Sequence, residues 1–202
     1  MDKIQLPTSS SEATVNLDQA LKQRISCRSY KDKPIKLKDV GDILWAANGI
    51  SDKRFSQRRT APSAGATYPL QLYIATKKGS VYSLEPGIYR YNPDEHLLEK
   101  HSKENIIEHL PQATYNQSFL TKASMCILIA SKKERTTRLY GERGIQYIWM
   151  EAGGVCQNIH LKVVEMNLGT VIIGAFEDTK VKRAFRLSGE VPLGIMPIGY
   201  PA

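Results

Sequence analysis

The chain has 202 residues, 42% of them hydrophobic, enough for one domain with a real core and no need of disulfide or metal staples. Its 28 Lys and Arg against 20 Asp and Glu give a net charge of +8, which favours anionic ligands without choosing among them. Apolar runs such as Cys126–Ala130 and Val171–Ile173 fall far short of the roughly 20 residues of a membrane helix, which excludes a helical membrane span.

The first residues, through Leu17, lack the apolar stretch of a secretory signal, so a cytoplasmic protein forming one domain over 1–202 is expected. Asn16 or Asp18 can cap a short helix through about Arg24. Leu37, Val40, Leu44 and Ala47, at three-and-four spacing, predict a second helix stopped by Asn48-Gly49. The polar stretch from Ser51 to Thr60 carries Arg54, Arg58 and Arg59 and reads as a mobile loop. Leu70–Thr76 reads as a strand, and Gly87–Tyr91 with Leu97–Lys100 as a hairpin around Asn92-Pro93-Asp94, whose proline stands outside the ladder.

Ser124–Ala130 is a nearly continuous apolar run, as suits a central strand buried on both faces. From Gly141 to Asn167, residues Ile145, Ile148, Trp149, Ala152, Val155, Cys156 and Ile159 repeat at helical spacing, predicting a helix of roughly 35 to 40 Å. Gly153 and Gly154 inside it each cost about 1 kcal/mol relative to Ala, which points to a second backbone packed there, as at a subunit interface. Thr170–Ile173 and Gly194–Tyr200 read as strands and Thr179–Leu187 as a helix between them. The fold class is α+β with a mixed or mostly antiparallel sheet, not a βαβ repeat.

In an extended segment Arg24, Ser26 and Arg28 fall on one face, where two guanidinium forks and a hydroxyl suit a phosphate. Tyr30 continues that face and is placed to cover the site, while Cys27 points away from it. Ala61–Pro69, with two prolines, one glycine and small residues before a strand, makes a stiff narrow loop against whose backbone a flat ring can lie, with Ser63 bonding its polar edge. Gly174-Ala-Phe176 offers a second backbone-only contact. The sequence contains no GxGxxG, GxxxxGK[ST], GxSxG or HExxH motif. Cys27, Cys126 and Cys156 form no CxxC pair and are expected to be reduced; the four histidines have no metal spacing. The basic residues are scattered from Lys3 to Arg186 without a nucleic-acid motif, so neither metal nor nucleic acid is expected.

Six segments, Arg24–Tyr30, Leu44–Ile50, Ala61–Tyr73, Glu85–Glu99, Glu151–Leu161 and Leu168–Phe176, together resemble the nitroreductase superfamily, and within it the SagB-type dehydrogenases. The resemblance implies FMN at the interface of an intertwined homodimer, with NADH or NADPH as donor and a small-molecule acceptor. It implies that Arg24, Ile25, Ser26 and Arg28 hold the phosphate and ribityl chain. Pro62, Ser63, Ala64 and Gly65 would lie along the flavin ring from the other subunit, and Ile172, Ile173, Gly174 and Ala175 on its opposite side, with the Gly174 N–H toward N5. No side chain is assigned as catalytic; solvent or Tyr68 would supply protons. Three departures stand out: Ala66 and Gly174 replace an Asn and a Glu common in nitroreductases. No Lys-Tyr pair of the azoline oxidases occurs, and no basic C-terminal tail follows Tyr200, leaving Arg183, Arg186 or a loop arginine for that contact. Rival expectations are a peptide-tailoring oxidase acting with partner proteins, and a flavin carrier.

Overall fold

The computed structural model describes residues 2–8, 15–52, 54 and 58–202; parts of the N-terminal segment and of the 51–60 loop therefore lie outside the described residues. The elements are β1 (Lys3–Gln5), α1 (Leu17–Gln23), α2 (Leu37–Asn48), β2 (Ile50–Asp52), β3 (Arg58–Arg59), β4 (Leu70–Thr76), β5 (Gly87–Asn92) and β6 (Leu97–Ser102). They continue with α3 (Leu110–Ala113), β7 (Met125–Ser131), α4 (Glu134–Tyr140), α5 (Arg143–Glu165), β8 (Gly169–Thr170), α6 (Asp178–Ala184) and β9 (Val191–Gly199).

Seven strands form one sheet in the order β1-β6-β5-β4-β7-β9-β8, every named pair antiparallel. β7 lies inside it and all seven of its residues are buried, as its apolar run requires. Because alternate strand residues face opposite ways, Met125, Ile127 and Ile129 join one core with α2 and α5, while Cys126, Leu128 and Ala130 join the other with residues of α3 and α6. The chain is thus α+β, with helices on both faces of an antiparallel sheet.

α1 starts at Asn16, not Asp18: the Asn16 side chain accepts from the Gln19 N–H at 2.9 Å, and Gln19 returns a bond to the Asn16 N–H at 3.3 Å. The long helix α5 buries Ile148, Ala152, Val155, Ile159 and Val163 and leaves Trp149 and Met150 outside, 53% and 64% exposed. It begins two residues later than periodicity predicts, since Gly141 has φ 55°, a left-handed turn that separates it from α4. Among the described residues no other backbone packs on the two interior glycines: a Cβ at Gly153 would meet nothing within 4 Å, and one at Gly154 only Pro62 Cδ at 4.0 Å.

Two expected elements differ. The described part of the 51–60 stretch is a short antiparallel pair, Ile50↔Arg59 and Asp52↔Arg58, rather than open loop. The predicted strand Thr170–Ile173 is laddered only at Gly169–Thr170, followed by an isolated Ile173↔Ile195 bridge. The interruption falls where the Ile172 side chain lies against Gly194 of β9, on which a Cβ would stand 2.4 Å from Ile172 Cδ1.

Candidate functional site

After α1 the backbone extends and docks on β8 through a parallel Ser26↔Thr170 bridge and a Cys27 N–H to Thr170 carbonyl bond of 2.9 Å. The approach requires Gly169, where a Cβ would stand 2.7 Å from the Cys27 Cβ. Arg24 is half-buried, Ser26 and Arg28 are exposed and Cys27 is buried, while Ile25 and Ser29, which strict alternation would bury with Cys27, are exposed. Neither Arg24 nor Arg28 makes an ion pair among the described residues. Ile25, 72% exposed, stands beside them.

Tyr30 does not cover this face. It is buried in the second core, where its hydroxyl donates to the Cys27 carbonyl at 2.7 Å, because burial of the ring outweighs continued alternation once that hydroxyl is satisfied.

From Thr170 the chain runs on through Val171 to Ala175, so the bridge makes the Arg24–Arg28 segment and the Ile172–Ala175 segment neighbours. Ile173 is buried and exchanges backbone bonds of 2.8 and 2.9 Å with Ile195. Ile172 is 40% exposed, and Gly174 and Ala175 are exposed. A Cβ at Gly174 would meet nothing within 4 Å. Ile172 also borders an apolar recess of about 230 Å³ shared with Ile129, Trp149, Ala152, Gly153 and Leu193.

Pro62, Ser63, Ala64 and Gly65 lie elsewhere, against α5. The Ser63 hydroxyl donates to Glu151 Oε2 at 2.6 Å and accepts the Tyr68 N–H at 2.9 Å, so its proton is committed within the chain and only a lone pair and neighbouring amides remain for a ligand. Gly65, Ala66 and Tyr68 have positive φ of 57°, 52° and 44°, giving a tightly wound loop. Thr67 bonds Thr136 at 2.8 Å, Arg135 donates to the Tyr68 carbonyl at 3.0 Å, and the Arg59 guanidinium lies 4.4 Å from the Tyr68 ring centroid.

Glu151 is the residue that sequence reasoning missed. It is 4% exposed and its Oε1 has no partner among the described residues. Burial pushes its carboxyl up to about 7, against the Ser63 hydrogen bond and the charge of Arg59, which pull it down. The signal was available: Glu151 falls three residues after Ile148 on the buried stripe of α5, where a carboxylate is out of place without a task. His160 is buried on the same helix, and burial, aided by the nearby Arg24 charge, pulls its pKa down. Arg186 is paired with Glu104, while Arg183 is exposed.

Among the described residues no helix is long and apolar enough to cross a membrane, and no group of three or more His, Cys, Asp and Glu is placed to hold a metal ion. The Nitroreductase family profile matches residues 21–200. A candidate nitroreductase of Methanocaldococcus jannaschii is 39% identical over 185 residues, covering 92% of this chain and 91% of that protein. Among solved structures, a candidate nitroreductase from Ralstonia eutropha superposes with a TM-score of 0.86 at 25% identity, covering 99% of this chain and 90% of that one. A chain of the Escherichia coli microcin synthetase McbBCD complex, bound to truncated pro-MccB17, shares the fold with a TM-score of 0.79 at 21% identity, covering 98% and 77%. With a matched profile over most of its length and a close relative over nearly all of it, the chain belongs to the nitroreductase family and is an oxidoreductase.

Proposed function

We propose that the chain is an FMN-dependent oxidoreductase of the SagB-type branch, which works in the cytoplasm as a homodimer and passes electrons from NADH or NADPH to a small, flat, electron-poor substrate. The observation that carries this reading is the Ser26↔Thr170 bridge, which brings two arginines without ion pairs among the described residues and a serine hydroxyl near exposed Ile172, Gly174 and Ala175. The donor set fits FMN: guanidinium forks and a hydroxyl for the phosphate, an open glycine backbone for the ring edge, and an adjoining apolar recess for flat ring surface. Bound FMN would supply the hydride chemistry. Arg24, Ser26 and Arg28 hold the phosphate, Ile25 packs beside it, and the Gly174 N–H is offered to N5. Pro62, Ser63, Ala64 and Gly65 cover the ring from the partner subunit, with Glu151 fixing the loop through Ser63.

Dimerisation accounts for the apolar side chains left outside. Leu17, Leu21, Trp149 and Met150 are 64%, 49%, 53% and 64% exposed, and Gly153 leaves open space beside the last two. Replacing Trp149 with Glu is expected to convert the dimer to monomer in sedimentation and to release flavin with it. A wild-type chain that sediments as a monomer with flavin fully bound would rule the shared site out.

The deciding experiment is the visible spectrum of the purified protein, followed anaerobically as NADH and then NADPH are added. A flavin spectrum that bleaches with either donor supports the reductase and identifies the donor. A bound flavin left oxidised by both favours the peptide-tailoring reading or the carrier, and protein that FMN cannot reconstitute overturns the proposal.

A further inference from the structure

We propose that a second cavity, at the end of α2 and lined by Asn48, Arg59, Arg90, Tyr91, Asp94 and Arg135, binds a small oxyanion, with inorganic phosphate its simplest member. The cavity measures about 190 Å³ and shares no lining residue with the segments that hold FMN in the proposed function. It is independent of that reading.

The lining charges are unbalanced. Arg90 is spent on Glu99, its partner across the β5–β6 pair. Arg135 gives one bond to the Tyr68 carbonyl and keeps further donors, and neither Arg135 nor Arg59 has an ion pair among the described residues. Arg59 stacks on Tyr68, and its buried Nε has no partner among the described residues. Burial draws the pKa of Arg59 down, with the Asp94 charge opposing, as expected where a guanidinium is taken out of water without a close counter-ion. A multidentate oxyanion supplies that missing charge and accepts the free N–H groups.

Isothermal titration with inorganic phosphate tests this, on a chain also carrying Arg24→Gln and Arg28→Gln so that the proposed flavin phosphate site contributes nothing. Phosphate should still bind there, and Arg59→Gln or Arg135→Gln should weaken it by about tenfold or more. Asp94→Asn, on an exposed turn, should tighten binding by removing the acid on the lining, which keeps the test open if Arg59→Gln fails to fold. Loss of phosphate binding with Arg24 and Arg28, or indifference to Arg59, Arg135 and Asp94, would each overturn the assignment.

Discussion

Arg24→Ala and Arg28→Ala are each expected to weaken FMN binding by about ten- to a hundredfold while leaving riboflavin affinity nearly unchanged. Each guanidinium is placed on one face of the segment that docks on β8, and neither has another ion partner among the described residues, so a lost contact is not replaced from within the chain. Losing one charge-assisted hydrogen bond costs about 1.5 to 3 kcal/mol, which sets that range. The two effects should not add fully, since both residues address one group. Riboflavin lacks the phosphate and separates its recognition from general damage to the site. Flavin fluorescence quenching reads both ligands; equal losses for FMN and riboflavin, or none for either, would sink the phosphate assignment. Gly174→Ala supplies the complementary control, since a methyl there has open space in the chain and can disturb only what approaches from outside.

Glu151→Gln is expected to stabilise the protein above neutral pH and to flatten its pH dependence. Burial raises the folded-state carboxyl from 4.5 to about 7, so the folded chain holds this proton more tightly than the unfolded chain does. The favourable contribution is therefore complete below about pH 4.5 and is lost as pH rises to about 7, leaving the ionised folded state roughly 3 kcal/mol worse off in alkaline buffer. Glutamine keeps an acceptor for the Ser63 hydroxyl and carries no charge. At roughly 2 to 4 °C per kcal/mol for a chain of this size, the variant should melt up to about 10 °C higher at pH 8 and little differently near pH 4.5. Parallel melting curves for the two proteins across that range would show that Glu151 does not titrate there.

The elements that strong periodicity marks were legible. The helical repeat of α5 and the apolar run of β7 follow from burial alone, and both are found close to their predicted ends. α4 escaped notice because only Thr136 of its seven residues is buried, which leaves no apolar stripe to read. β1, three residues on the sheet edge, and β8, of two, are defined by their partners rather than by their own sequence. Alternation accounts for a buried Cys27 between exposed Ser26 and Arg28, but not for exposed Ile25 and Ser29 or for Tyr30, where the need to bury an aromatic ring took over. Nothing local could show that Ser26 meets Thr170: it took the family resemblance to group those two segments. Glu151 was visible as a carboxylate in an apolar stripe, yet its Ser63 partner, 88 positions away, was not.

The same bridge bears on the order in which the molecule assembles. β5 and β6 are adjacent in sequence and can pair early, whereas β7 must find β4 about 50 residues before it and β9 about 70 after it, a topology that folds slowly. Ser26 and Thr170 are separated by about 140 residues, and β8 is a two-residue edge strand laddered to β9, so their junction should close after the central strands have met. A ligand gripping that junction binds the finished fold and not its precursors. Its stabilisation should then appear as slower unfolding at an unchanged folding rate, so that a cofactor held there acts as a latch on the completed chain and not as a template for building it.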